Sequence, residues 1–160
     1  MIHRTKALST LALAALIGLP DPAAALSCRR PDVARSYKTA AAAPEAYVVV
    51  LGRLAFAADR LPKRGKGGRI RARLTGHAVT ATGLGARLDR TVTLNVTCVS
   101  AWCGSATPGQ DMLMFLRQDG ADYVLDATPC QQFHFPDPPE ADLATLRRCL
   151  AGGPCSPRSR

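Results

Sequence analysis

The residues best able to do chemistry in this sequence are six cysteines: Cys28, Cys98, Cys103, Cys130, Cys149 and Cys155. Thiols can pair as disulfides, hold a metal or exchange with other thiols. Cys98 and Cys103 are separated by four residues, Cys149 and Cys155 by five. No Cys-x-x-Cys occurs, so a redox-active pair is not expected. Cys98, Cys103, Cys149 and Cys155 would supply the ligand count of a structural zinc site, but their spacings and the export address argued below disfavour it. No metal or other cofactor is expected. His134 stands between Phe133 and Phe135 and close to Asp137, yet no G-x-S-x-G or other nucleophile motif accompanies it. It reads as a partly buried histidine in a strand or turn, and His77 has no evident partner. No catalytic constellation can be named, and the chain reads as non-enzymatic.

Charge is the second chemical feature. The formal net charge is +9. Arg60, Lys63, Arg64, Lys66, Arg69, Arg71 and Arg73 fall in one span free of acids, whereas Asp137, Glu140 and Asp142 roughly balance Arg147 and Arg148. The basic character is therefore expected in one region and not over the whole surface. Such a span can protect a strand edge as a solvated face. It can also recognise an anionic polymer, a lipid phosphate or an acidic protein surface. No aromatic residue lies between Phe56 and Trp102, which counts against base stacking and makes sequence-specific nucleic-acid binding an unfavoured reading.

The elements that must position these groups begin after a secretory signal. His3, Arg4 and Lys6 precede an apolar run from Ala7 to Leu19, Pro20 breaks it, and Ala23-Ala24-Ala25 supplies an A-x-A cleavage signature. The run of 13 residues is shorter than the roughly 20 needed to cross a bilayer. Residues 1–25 are assigned to the signal, with cleavage conceivable as late as residue 27. The exported part, residues 26–160, is expected to be one domain with a short disordered C-terminal tail and no transmembrane segment. An even number of cysteines in such a part is read first as three disulfides, which places the protein in the periplasm or outside the cell. Fifteen pairings are open at this point.

A helix is expected from Pro31-Asp32 to Pro44, with Val33, Tyr37 and Ala41 on one apolar face. Tyr47 to Phe56 reads as a long first strand with Gly52 at a bend or bulge. Its unbroken apolar start implies burial on both sides. A loop from Arg60 to Gly68 leads to Arg69–Leu74, whose alternation sends Ile70, Ala72 and Leu74 inward and the arginines outward. Gly76, Gly83 and Gly85 mark a turn region around a bent segment at Ala78–Ala81. Thr91–Thr97 is the third strand, Met112–Leu116 the fourth and Tyr123–Leu125 the fifth, the last two joined as a hairpin through Asp119-Gly120. A closing helix starts at Pro138-Pro139-Glu140, carries Leu143, Leu146 and Leu150 on one face, and ends at Gly152-Gly153-Pro154. The fold class is mainly β: a five-stranded Greek-key barrel of the oligonucleotide/oligosaccharide-binding (OB) type with an N-terminal and a C-terminal helix.

Several residues in this order resemble the netrin-like modules, the family that includes the tissue inhibitors of metalloproteinases. Cys28 lies just after the signal with Pro31 close behind, and a short helix leads to a strand ending Leu51-Gly52-Arg53-Leu54. Cys103-Gly104 precedes the Leu113–Leu116 strand, a later strand ends at Cys130, and the last helix bears Cys149. The likeness spans nearly all of the exported chain. It departs at the start: the inhibitors begin Cys-x-Cys and chelate the protease zinc with the terminal cysteine, whereas this chain reads Cys28-Arg29-Arg30.

Short separations make Cys98–Cys103 and Cys149–Cys155 the natural local bridges, leaving Cys28 with Cys130. A pairing nearer the inhibitors' pattern would join Cys28 to Cys103 and rearrange the rest. Trp102 is expected as a core plug over the Cys98–Cys103 turn, which would be a stapled corner between the third and fourth strands. Function is expected as an exported interaction module presenting its basic hairpin to an anionic polymer, surface or protein. The alternative is a protease inhibitor or accessory protein acting through the Cys28 end.

Overall fold

A computed structural model describes residues 27–158; the expected signal, residues 1–25, lies outside the described residues. The elements are α1 (Val33–Ala41), β1 (Tyr47–Ala55), β2 (Gly68–Thr80), β3 (Gly83–Val96), β4 (Cys98–Val99), β5 (Trp102–Cys103), β6 (Met112–Asp119), β7 (Asp122–Ala127), β8 (His134–Pro136) and α2 (Glu140–Leu150). The main sheet runs β1-β2-β3-β7-β6-β8, and β1 also pairs with β6. That second pairing closes β1, β2, β3, β7 and β6 into the expected five-stranded barrel. All its neighbours are antiparallel except β3 and β7, which run parallel from Thr93↔Val124 to Val96↔Ala127.

Alternation explains how the strands serve two cores at once. Val50 and Leu54 of β1, Ala72 and Leu74 of β2, Val92, Leu94 and Val96 of β3, and Met112, Met114 and Leu116 of β6 fill the barrel. The intervening Val49, Leu113 and Phe115 point outward, where Val33 and Ala40 of α1 and Leu146 of α2 cover them with Phe135 of β8. The unbroken apolar runs in β1 and β6 therefore mark burial on both faces. Leu143 and Leu150 join this outer core as expected. In α1 the apolar face includes Val33, Tyr37 and Ala40; Ala41 is exposed. Asp32 caps α1 by accepting a hydrogen bond from the Arg35 N–H, 2.9 Å.

Two expectations change. The glycines at 76, 83 and 85 do not interrupt the sheet: β2 and β3 form one long hairpin turning at Ala81-Thr82, with a register shift between His77 and Val79. Gly52 is also no bulge in β1. It sits opposite Gly76, and a β-carbon on Gly52 would fall 2.3 Å from the Thr75 carbonyl oxygen. Both positions are glycine because the two backbones approach too closely for side chains.

The three disulfides are Cys28–Cys130, Cys98–Cys103 and Cys149–Cys155. Cys28 is not joined to Cys103, since Cys103 already closes the turn across its register partner Cys98. Through residue 158 the tail expected to be disordered is tied back: the Arg158 N–H donates to Asp32 and its guanidinium meets Asp142 at 2.9 Å. No helix among the described residues is long and apolar enough to cross a membrane.

Candidate interaction surface

The seven basic residues of the 60–73 span come together as one unit made of loop and strand. Arg60 ends a short 3-10 turn (Ala58–Arg60), Lys63, Arg64 and Lys66 occupy the loop after it, and Arg69, Arg71 and Arg73 alternate along the outer face of β2. All seven are exposed. Their electrostatic states differ. Arg73 pairs with Asp89 at 2.6 Å and Arg69 lies 3.8 Å from Asp119. Arg60, Lys63, Arg64, Lys66 and Arg71 form no ion pair among the described residues. The loop end therefore carries most of the uncompensated charge, and the strand end is partly neutralised.

The barrel sets where this loop lies. Gly68 is in register with Val96 at the last rung of the β2–β3 ladder. One residue earlier, Gly67 adopts φ +81°, and a β-carbon there would lie 2.0 Å from the Val96 carbonyl oxygen and 3.0 Å from the Thr97 α-carbon. The loop thus leaves the same rim from which the Cys98–Cys103 hairpin departs.

That hairpin contradicts the expectation for Trp102. Cys98 faces Cys103 and Val99 faces Trp102 in a two-stranded ribbon separate from the barrel sheet. Cys103 packs against the barrel cluster. Strand alternation then turns its neighbour Trp102 the other way, into solvent, with 65% of its surface exposed. Val99 is 55% exposed beside it. Trp102 is no core plug. The stapled corner does form: the Gly104 N–H donates to the Thr97 carbonyl, and Gly104 packs so tightly that a β-carbon would meet the Ala127 carbonyl oxygen at 2.0 Å.

A second cationic centre was not anticipated from the distribution of charge along the sequence. Two adjoining clefts of about 370 and 440 Å³ share Arg29, Arg30, Pro31, Asp32 and Arg35, and Arg158 lines the larger. The Arg35 guanidinium donates to the Arg30 carbonyl at 3.2 Å. Asp32 and Asp142 are the acidic counterweights, Asp142 meeting the Arg158 guanidinium at 2.9 Å. Burial pushes the Asp32 carboxyl up, but the Arg158 and Arg35 N–H groups and the nearby guanidinium charges more than offset this and hold it below the ordinary value. The expectation of a single basic region is corrected accordingly. The tail brings Arg158, distant in sequence, to Arg29, Arg30 and Arg35, which are neighbours in the sequence.

His134 is buried more deeply than expected, at 1% exposure, and neither ring nitrogen has a hydrogen-bond partner. Its register partner is Met114 of the barrel interior. Burial lowers its pKa, and the nearby Ser105 main chain opposes this only in part. His77 lies on the exposed outer face of β2, across from Leu51. Among the described residues no group of three or more His, Cys, Asp or Glu converges as a metal site would require. Comparison with protein-family models, with characterised proteins and with solved structures returns no match.

Proposed function

We propose that this chain is an exported, non-enzymatic interaction module that engages an anionic partner through the 60–73 unit. The observation carrying the reading is the run Arg60, Lys63, Arg64 and Lys66, in a loop anchored at Gly67 against Val96 and with no ion pair among the described residues. Grouped like charges repel one another, so their concentration at one end of a barrel costs stability while creating a positive field for a partner. Three disulfides support an oxidising address, periplasmic or secreted. The barrel flanked by two helices supports the netrin-like reading as part of the same proposal, while Cys28–Cys130 departs from the Cys28–Cys103 pairing nearer the inhibitors' pattern.

The test is a salt gradient on an anionic matrix. The triple variant Lys63→Ser, Arg64→Ser, Lys66→Ser is expected to elute at clearly lower salt than the parent protein. Equal elution would sink the proposal.

A second reading, action on a protease through the Cys28 end, is favoured by one feature: residues 27–31 are exposed and bolted to the barrel by Cys28–Cys130. Amino-terminal sequencing of the exported protein separates the two. A Cys28 terminus keeps this reading, and a Leu26 terminus removes its central group.

A further inference from the structure

We propose that the rim carrying the 60–67 loop and the Cys98–Cys103 hairpin docks on an anionic lipid surface. Val99 and Trp102 enter the headgroup region while the loop cations meet lipid phosphates. The inference rests on the reading of the basic unit given above and specifies its partner.

Three observations converge. Among the described residues Trp102 and Val99 are two of the three large apolar side chains left strongly exposed, and they sit side by side on one turn. The turn is closed by Cys98–Cys103, so the pair is presented on a short covalent loop and loses little freedom on insertion. The loop that leaves the same rim carries Arg60, Lys63, Arg64 and Lys66, against which Asp59 is the single carboxylate in residues 57–73.

The shape of this surface decides between partners. Tryptophan concentrates at the headgroup level of bilayers because its ring is apolar and its N–H polar. Cations near an anionic leaflet each strengthen attachment roughly fivefold. A projecting aromatic tip on the same rim as a cationic loop matches a flat, deformable anionic interface. A single-stranded nucleic acid would need aromatic platforms for successive bases, and this hairpin offers one.

Trp102 is the only tryptophan in the sequence, so its emission reports directly on the tip. The exported protein is mixed with vesicles of phosphatidylcholine alone or with phosphatidylglycerol added, with and without brominated acyl chains. Anionic vesicles are expected to shift the emission to the blue and brominated lipid to quench it. Trp102→Ser, followed by co-sedimentation, is expected to weaken partition at least about tenfold. Its urea midpoint should be unchanged, since the side chain is exposed. The Lys63, Arg64, Lys66 triple serine variant is expected to weaken partition about a hundredfold.

Unshifted and unquenched Trp102 on anionic vesicles would overturn lipid docking even if the protein co-sediments. So would partition of Trp102→Ser equal to that of the parent. Quenching by a single-stranded oligonucleotide with no response to vesicles would also overturn it, in favour of nucleic acid. If Trp102 stays silent while the triple variant still loses retention on the anionic matrix, only the lipid assignment fails. If retention is unchanged, the proposed function fails as well.

Discussion

Gly67 lies directly against Val96: a β-carbon on Gly67 would sit 2.0 Å from the Val96 carbonyl oxygen, in a residue whose φ is +81°. This contact joins the basic loop to the strand that feeds the Cys98–Cys103 hairpin. It makes two surface features, far apart in sequence, parts of one rim.

Gly67→Ala is therefore expected to be destabilising on two counts, left-handed backbone and steric overlap with main chain that cannot swing aside. A loss of about 2 kcal/mol or more is expected in urea unfolding. Gly65→Ala, in the same loop with φ +85° but open space around it, is the control for backbone strain alone and should cost less, about 1 kcal/mol. Equal losses at the two positions would show that the approach to Val96 has no energetic weight.

The disulfides should rank by the length of chain they close. Cys28–Cys130 spans 102 residues, Cys98–Cys103 spans 5 and Cys149–Cys155 spans 6. On the chain-entropy account the long bridge contributes about 4–5 kcal/mol and each short one about 2 kcal/mol. Paired serine replacements, compared by urea midpoint, are expected to show the Cys28/Cys130 variant as the least stable. If either short bridge proves more damaging, local geometry at that turn outweighs loop closure.

Much of the fold was legible because alternation is a local signal. Ile70, Ala72 and Leu74 against Arg69, Arg71 and Arg73 mark the inner and outer faces of β2 without any knowledge of its neighbours. The continuous Met112–Leu116 run likewise reports burial on both faces, since helices cover Leu113 and Phe115. The Gly52–Gly76 crossing was not legible, because a glycine required by a distant backbone looks the same as one required by a turn. Trp102 could have been placed: a residue next to a cysteine that packs inward must point outward in a strand. A large apolar ring suits a core, but the alternation set by Cys103 sends it outward. Arg29, Arg30 and Arg35 are close in the sequence, but the place of Arg158 beside them depends on the tail folding back to Asp32, and sequence proximity carries no trace of that contact.

His134 gives a pH dependence with a definite sign. In the fold its ring is buried, and burial outweighs the opposing Ser105 main chain and puts its pKa below the ordinary 6.5. The unfolded chain protonates near 6.5 and the folded one only at lower pH, so the unfolded state binds more protons in between. Stability should thus be greatest above pH 6.5 and fall on acidification by up to about 1.4 kcal/mol per pH unit until the folded pKa is reached. Asp32 acts in a separate window. Its folded pKa is also lowered, from an ordinary 3.8, so its contribution is present above that value and lost as pH falls below it. The test is urea unfolding of the parent protein and His134→Leu at several pH values from 7.5 to 5. Leucine removes the titration and two unpaired buried nitrogens, so the variant should match or exceed the parent at pH 7.5. It should also lose most of the parent's slope below pH 6.5. Parallel slopes in the two proteins would place the acid sensitivity in another group and leave His134 a buried ring with no effect on folding above pH 5.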